Sequence, residues 1–110
     1  MQAKINKVKD TVSKKLDKLE IPFSFSDMEI FNQDSTVKVN GYKVTTDKVT
    51  ACIIPNFRKN KVEFLILNEN MIAHLVSEGM SDDEIMENGK VWTHITTTKN
   101  FIDVMAYCNE

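Results

Sequence analysis

The side chains best suited to chemistry in this 110-residue chain are its two histidines and two cysteines. His94 and Thr96 form one His-x-Thr pair. Two such pairs can flank a phosphodiester, with one histidine acting as the base and the other as the acid. The second histidine, His74, is followed by Leu75 and Val76 rather than by the same pattern. Because half of the arrangement is missing, the sequence favours a structural role for His94 over a catalytic one.

A thiol nucleophile is the second chemical possibility. Cys108, Asp103 and His94 would form a Cys-His-Asp set if the fold brought them together. Cys108 lies close to the end of the sequence, where chains commonly fray, so we interpret it as a small hydrophobic residue on a final helix. Cys52 and Cys108 have neither Cys-x-x-Cys nor metal-ligand spacing, and we expect reduced thiols in a cytoplasmic protein.

An acidic cluster in the carboxyl-terminal half is a third candidate, for binding a divalent cation. It lacks the glycine-centred, alternating oxygen ligands of a calcium loop, and three glycines in the whole chain cannot build a phosphate-binding loop. The sequence therefore predicts no metal, no cofactor and no enzymatic activity. The cluster is better explained as the acidic N-terminus of a helix, where the helix dipole favours negative charge. Its members are Glu78, Asp82, Asp83, Glu84 and Glu87.

The same acidic region is also one of two candidate binding surfaces. Methionine side chains adapt to irregular partners, and a rim of acids steers the association of a basic partner. The alternative is that these methionines fill the core. The residues predicted to bind a protein partner are Asp82, Asp83, Glu84, Glu87, Met80, Met86 and Trp92.

The second candidate surface is basic. Nucleic-acid-binding proteins place cations on phosphates and stack aromatic rings on bases. The pI near 5.7 and a single arginine weaken this reading, and lysines also keep exposed strands soluble. The residues predicted for a nucleic-acid surface are Lys38, Lys43, Lys48, Arg58, Lys59, Lys61 and Tyr42, with Phe57 nearby.

The charges are unevenly distributed along the chain. Residues 1–20 hold six bases and three acids, residues 21–62 hold six and four, and residues 63–110 hold two and nine, giving +3, +2 and −7 for a net charge of −2. A basic amino half could meet nucleic acid or an acidic protein, and an acidic carboxyl half could meet a basic groove. Interleaving of the two halves in the fold would reduce this asymmetry.

The strongest local signal is Asn40-Gly41 between alternating apolar residues, which predicts a β-hairpin over residues 37–44 with a type I′ turn. In that hairpin Val39 would pair with Tyr42, and Lys38 and Lys43 would share the polar face. A strand is predicted over 48–54, ended by Pro55 and the loop 56–61. A second strand over 62–67 is apolar enough to be central and covered on both faces.

Helices are predicted at both ends of the chain. Apolar residues at steps of three and four predict a helix over 4–20, able to pack on the sheet or to dimerise: Ile5, Val8, Val12, Leu16 and Leu19. Another helix, from about residue 99, carries Phe101 and Met105 on one side. Two short helices are predicted between residues 70 and 89, closed by Gly79 and Gly89, followed by a strand over 91–96. Residues 28–31 fit either a turn or a strand. The expected fold is a single α+β domain over residues 1–110 with a mainly antiparallel sheet of four or five strands and helices on one face.

The composition excludes several classes of protein. Neither a signal peptide nor an apolar run long enough to span a membrane is visible. Ten asparagines and thirteen lysines suit an AT-rich genome, such as that of a low-GC bacterium or its phages and plasmids.

We expect a small cytoplasmic binding protein that acts by occupying a macromolecular partner, as a regulator or inhibitor from a mobile element does. The alternative is a nucleic-acid-binding accessory protein that uses the 37–44 hairpin and the 56–61 loop.

Overall fold

The computed structural model describes residues 1–32, 38–67, 76–79, 81 and 92–110, with the backbone alone at positions 92 and 93. In this part of the chain a helix is followed by five strands and a second helix. The elements are α1 (Gln2–Lys18), β1 (Phe23–Phe31), β2 (Lys38–Thr46), β3 (Thr50–Asn56), β4 (Lys61–Leu67), β5 (Trp92–Ile95) and α2 (Thr98–Cys108).

The five strands form one antiparallel sheet in which each strand pairs with the next in sequence, in the order β1-β2-β3-β4-β5. Both helices pack on the same face of this sheet: α1 lies across β2, β3 and β4, and α2 lies on β4 beside α1. The predicted α+β domain with an antiparallel sheet and a helix at either end is confirmed.

The core lies between the helices and the sheet face beneath them. Side chains alternate along each strand, so every second residue of β2, β3 and β4 points toward the helices. The ring of Phe101 in α2 stacks on Phe64 in β4, with the ring centroids 4.4 Å apart. The side chains buried at this interface are Ile5, Val12, Leu16, Val44, Ala51, Ile53, Phe64, Ile66, Ile95, Phe101 and Met105.

The apolar stripe of the first helix is also as predicted, except at its end. Ile5, Val12 and Leu16 are completely buried, whereas Leu19 forms the C-cap and is 48% exposed. The predicted helix therefore packs within its own domain, and its last apolar residue is left at the surface.

The predicted hairpin is wrong. Asn40 and Gly41 lie inside β2, which runs without interruption from Lys38 to Thr46 between β1 and β3. Neither residue has the positive φ that a type I′ turn requires. Local turn chemistry is overridden here because β2 pairs with β1 along its whole length, and the Gln2 side chain holds the other side of Asn40.

Gly41 is needed for a close approach rather than for a turn. A Cβ atom at this position would lie 2.6 Å from the carbonyl oxygen of Ile53 and 2.9 Å from Cδ1 of Ile30. Glycine in a strand interior often marks a place where another part of the chain comes this close. The sequence predicts a turn at this glycine, whereas the structure shows that the glycine makes room for Ile53 and Ile30.

Beyond Ile53, β3 no longer pairs with β2, and a side chain of α1 takes its place. Tyr42–Ile53 is the last pair of the two strands. At Asn40 the side-chain amide of Gln2 replaces the missing strand: its Oε1 accepts from the backbone N–H at 2.7 Å and its Nε2 donates to the carbonyl at 3.0 Å.

Pro55, which was predicted to end β3, lies within it opposite Val62. Proline is tolerated because its missing N–H falls on the side that β2 no longer occupies.

The remaining boundaries lie close to the predictions where the structure describes them, although α1 and β3 are each displaced by two residues, and both ends of the predicted 56–61 loop belong to strands. Residues 28–31 belong to β1, and β4 is central between β3 and β5. Gly79 has φ +87°, as expected of a glycine that closes a helix. The helix predicted before it lies largely outside the described residues, and the one predicted over 81–89 does so almost entirely.

Candidate functional site

The residues predicted to form one basic surface lie in separate places. Lys38 and Lys43 are five positions apart on β2 and so point to opposite faces of the sheet. Lys38 forms an ion pair with Glu29, and Lys43 lies on the face away from the helices, beside Cys52. The prediction that the two lysines share a face is wrong because it depended on the hairpin turn.

Tyr42 and Lys48 are already engaged within the fold. The hydroxyl of Tyr42 donates to Oδ1 of Asn6 at 3.1 Å, and the ammonium of Lys9 lies 4.2 Å from the centre of the tyrosine ring. Lys48 donates to the backbone carbonyl of Glu110 at 2.7 Å. Tyr42 therefore packs under α1 instead of offering a free face for a base to stack on.

The three remaining basic residues stay together at the turn between β3 and β4. Arg58 and Lys59 are exposed in the turn, and Lys61 begins β4. Lys4 of α1 joins them by donating to the carbonyl of Asn60 at 2.9 Å. This group, Arg58, Lys59, Lys61 and Lys4, is called the turn cluster below.

A second group of cations lines a groove between the two helices. The groove has a volume of about 540 Å³, within the range of ligand-binding clefts. One wall is the C-terminal half of α1 and the other is the first half of α2. Its lining residues are Thr11, Lys15, Lys18, Leu19, Thr98, Lys99, Ile102 and Asp103.

The groove combines positive charge with apolar surface. Lys15, Lys18 and Lys99 contribute three positive charges against the one negative charge of Asp103. Leu19 supplies a partly exposed apolar surface at one end. None of the described residues that line the groove is aromatic or an arginine, so it lacks the groups that usually recognise bases and phosphates in nucleic acids. Such a site suits an anionic ligand with an apolar part.

Sequence reasoning missed this groove. The apolar stripe of α1 pointed to Leu19 as core, and Lys15, Lys18 and Lys99 were not singled out. Only the exposure of Leu19 and the placement of α2 beside α1 bring these residues together. No spacing within a single helix could have signalled that placement.

The second polar cluster lies on the sheet face away from the helices. Glu63 of β4 is 8% exposed and accepts hydrogen bonds from Nδ2 of Asn56 at 2.9 Å and from Nε2 of His94 at 2.8 Å. The Asn56 hydrogen bond is the largest cause that lowers the pKa of Glu63. The hydrogen bond and charge of His94 and the charge of Lys59 add to it, against burial, which raises the pKa. The cluster therefore holds Glu63 as a carboxylate.

Because the pKa of Glu63 is lower in the folded than in the unfolded state, its carboxylate stabilises the protein above about pH 4.5. This contribution is lost as the pH falls through the folded-state pKa. We expect Glu63→Gln to reduce the free energy of unfolding at neutral pH, and the difference from the wild type to shrink as the pH falls toward 3. Urea unfolding of both proteins at a series of pH values measures this difference.

The cause of the lowered pKa of Glu63 can be tested separately by NMR titration of its carboxyl group. Asn56→Ala removes the main donor and is expected to move the midpoint of that titration upward. A stability difference that does not diminish toward acid pH, or a midpoint unchanged in Asn56→Ala, would contradict the assignment.

The thiol nucleophile hypothesis finds no support in the geometry. His94 lies on the sheet face away from the helices, as shown by its bond to Glu63, whereas Cys108 belongs to α2 on the opposite face. Cys52 shares the face of His94, but burial raises the pKa of its thiol to about 11 against the lowering effect of Lys43. A thiol with such a pKa is a poor nucleophile at neutral pH. Within the described part of the chain no three potential metal ligands cluster.

The predicted acidic partner-binding surface remains a prediction. Met80, Met86 and the four acids Asp82, Asp83, Glu84 and Glu87 lie outside the described residues, and for Trp92 only the backbone position in β5 is described. Glu78 is described and exposed.

Comparison with known proteins found no matching protein-family model, no matching curated protein and no matching solved structure. No helix in the described part of the chain is long and apolar enough to cross a lipid bilayer. The function must therefore be argued from the site itself.

Proposed function

We propose that this protein is a small non-enzymatic binding protein that acts by occupying an acidic, amphipathic segment of a partner protein. The observation that supports the proposal is the groove between α1 and α2, whose lining combines three lysines with the apolar side chains of Leu19 and Ile102. Complementary charge would draw an acidic segment to the groove, and its apolar residues would cover Leu19.

The composition of the groove favours a protein partner over nucleic acid. Lysine ammonium groups pair readily with single carboxylates, whereas phosphates and guanines are more often recognised by the planar fork of arginine. Asp103 within the groove would repel a continuous line of phosphates but can accept a hydrogen bond from a partner's backbone or hydroxyl group. Net charge −2 also disfavours a general affinity for nucleic acid.

The affinity expected from the groove alone is weak. Each exposed lysine–carboxylate pair contributes roughly 0.2–1 kcal/mol, and burying the exposed half of one leucine side chain contributes roughly 1 kcal/mol. Affinity in the micromolar range would need further contacts around the groove. The groove is therefore proposed as the charged centre of a larger interface.

The biological role follows from occupancy. A partner whose acidic segment is covered cannot use it for another ligand, so the proposed role is that of a regulator or inhibitor, with a phage or plasmid origin in keeping with the lysine- and asparagine-rich composition. The proposed location is the cytoplasm, where the free thiols of Cys52 and Cys108 stay reduced.

The test uses a fluorescein-labelled acidic helical peptide of glutamate and leucine, with anisotropy as the readout. Lys15→Gln with Lys18→Gln removes two charges from the groove and is expected to weaken peptide binding by roughly fivefold. Arg58→Gln with Lys59→Gln removes the same charge from the turn cluster and should leave the affinity unchanged. Equal weakening in both double variants would mean that net charge, and not the groove, is responsible.

The turn cluster supports a second candidate, a nucleic-acid-binding accessory protein. Arg58, Lys59, Lys61 and Lys4 are adjacent, and three of them are brought together by one short turn. A single-stranded oligonucleotide with the same number of charges as the peptide tests this candidate. If the oligonucleotide binds more tightly than the peptide, loses affinity in the Arg58 and Lys59 variant and weakens steeply with salt, the second candidate replaces the first.

A further inference from the structure

The outer edge of β1 is a further candidate surface for a partner, separate from the groove and from the turn cluster. Within the described part of the chain β1 is an edge strand, paired with β2 through all nine of its residues and with no strand on its other side. An edge strand presents unpaired N–H and C=O groups that can hydrogen-bond another chain.

The hydrogen bonds of β2 show which groups of β1 face outward. Backbone groups of Asn40 bond to Gln2, and the N–H of Thr46 bonds to Val49. The backbone N–H and C=O groups of the even-numbered residues of β2 therefore point away from β1. In an antiparallel pair two opposite residues either exchange both bonds or none. The partners of these β2 residues, which include Glu29 and Phe23, therefore direct their own backbone groups outward. By alternation the outward set also contains Phe25, Asp27 and Phe31.

The edge is weakly protected against pairing. Natural edge strands are commonly guarded by proline, lysine or a bulge. β1 contains neither proline nor lysine, and its register with β2 continues without a bulge. It carries two acids, and one of them, Glu29, is paired with Lys38. Asp27 is left as the charge that an incoming strand would meet.

Three of the nine side chains along this edge are phenylalanines. Phe23 and Phe25 lie in edge-to-face contact and are only partly buried, and Phe31 is 60% exposed. All three share the face that carries the helices. A strand added beyond β1 would place alternate side chains beside these rings and bury surface that β2 does not reach.

We propose that the outer edge of β1 binds an extended segment of another protein by β-strand addition. The segment would carry an apolar residue beside Phe25 and a lysine or arginine opposite Asp27. A second copy of this chain fits less well, because full-length antiparallel pairing of two β1 strands sets Asp27 against its own copy, and like charges directly opposite are unfavourable. The bound segment would then be a sixth strand beside the five that the structure describes.

The first experiment needs no ligand. Amide hydrogen exchange is expected to be roughly tenfold or more faster at Phe25, Asp27 and Glu29 than at Ser24, Ser26 and Met28, whose N–H groups bond to β2. Equal protection of the two sets would mean that the edge is already covered in the free protein, and it would overturn the proposal.

The second experiment measures binding of the acetylated, amidated peptide Thr-Val-Thr-Lys-Thr-Val-Thr by amide chemical shifts. We expect shifts centred on β1, and a loss of roughly tenfold or more in affinity when alternate amides of the peptide are N-methylated. The N-methylated peptide is tested on the unaltered protein, so this result does not depend on whether a variant folds.

Variants then separate hydrogen bonding from charge. Asp27→Asn keeps the outward N–H and should weaken binding by roughly threefold, whereas Asp27→Pro also removes the N–H and should weaken it by roughly tenfold or more. Lys15→Gln with Lys18→Gln should leave peptide binding unchanged, which separates this surface from the groove. Shifts outside β1, equal binding of the N-methylated peptide, or a dimer abolished by Asp27→Pro would each overturn the proposal, the last by making a second copy the occupant.

Discussion

Phe101→Ala is expected to lower the free energy of unfolding by about 3–5 kcal/mol. Phe101 is completely buried, and its ring stacks on Phe64, so this contact helps to attach α2 to the sheet. Removing the ring leaves a cavity between α2 and β4 that the surrounding side chains fill only in part. Urea unfolding followed by circular dichroism measures the loss.

Tyr107 provides the matched control on the same helix. It is 75% exposed, so Tyr107→Ala is expected to change the free energy of unfolding by no more than about 0.5 kcal/mol. If Phe101→Ala cost as little as Tyr107→Ala, α2 would not pack on the sheet as described, and the wall that it gives to the groove would be lost with it.

Gly41→Ala is expected to cost about 3 kcal/mol or more, at the upper end of overpacking effects. The added Cβ would lie 2.6 Å from the backbone oxygen of Ile53, and a backbone atom held in a central strand cannot move aside as a side chain can. Alanine in an ordinary strand position would instead be neutral or slightly favourable relative to glycine.

Gly79→Ala separates steric conflict from conformational strain. Gly79 has φ +87° with no atom within 4 Å of an added Cβ, so its replacement should cost only about 1 kcal/mol. A larger loss at Gly79 than at Gly41 in urea unfolding would contradict the close approach of β2 and β3 and restore the turn as the reason for Gly41.

The sequence predicted those elements whose signal is carried by their own periodicity. The stripe of α1 up to Leu16, alternate residues of β4 and the Phe101 and Met105 face of α2 became core, because one face of each element must be buried whatever its neighbour. The fold class followed from their order.

The errors have a common physical cause, which is dependence on neighbours distant in sequence. Asn40-Gly41 has the chemistry of a turn, but pairing with β1 on one side and the Gln2 side chain on the other hold it extended. Pro55 is compatible with β3 only because β2 ends its pairing at Ile53. Once the turn was misplaced, Lys38 and Lys43 were assigned to one face when they lie on two.

The candidate site could be predicted even less, since no element contains it. The groove arises where the end of α1 meets the start of α2, and the outer edge of β1 exists only because β1 is first in the sheet order. The Glu63 cluster likewise joins residues from β3, β4 and β5. Strand order and helix placement set these neighbours, and neither can be read from spacing along the chain.

The most direct test of the proposed function is photocrosslinking in a low-GC bacterial lysate, with and without nuclease. Benzoylphenylalanine placed at Leu19 reports on the groove, and at Arg58 it reports on the turn cluster. We expect a discrete, nuclease-resistant protein adduct from position 19 whose yield falls with Lys15→Gln and Lys18→Gln, and none from position 58. A nuclease-sensitive adduct from position 58, with nothing from position 19, would contradict the groove as the binding site and make nucleic acid the target.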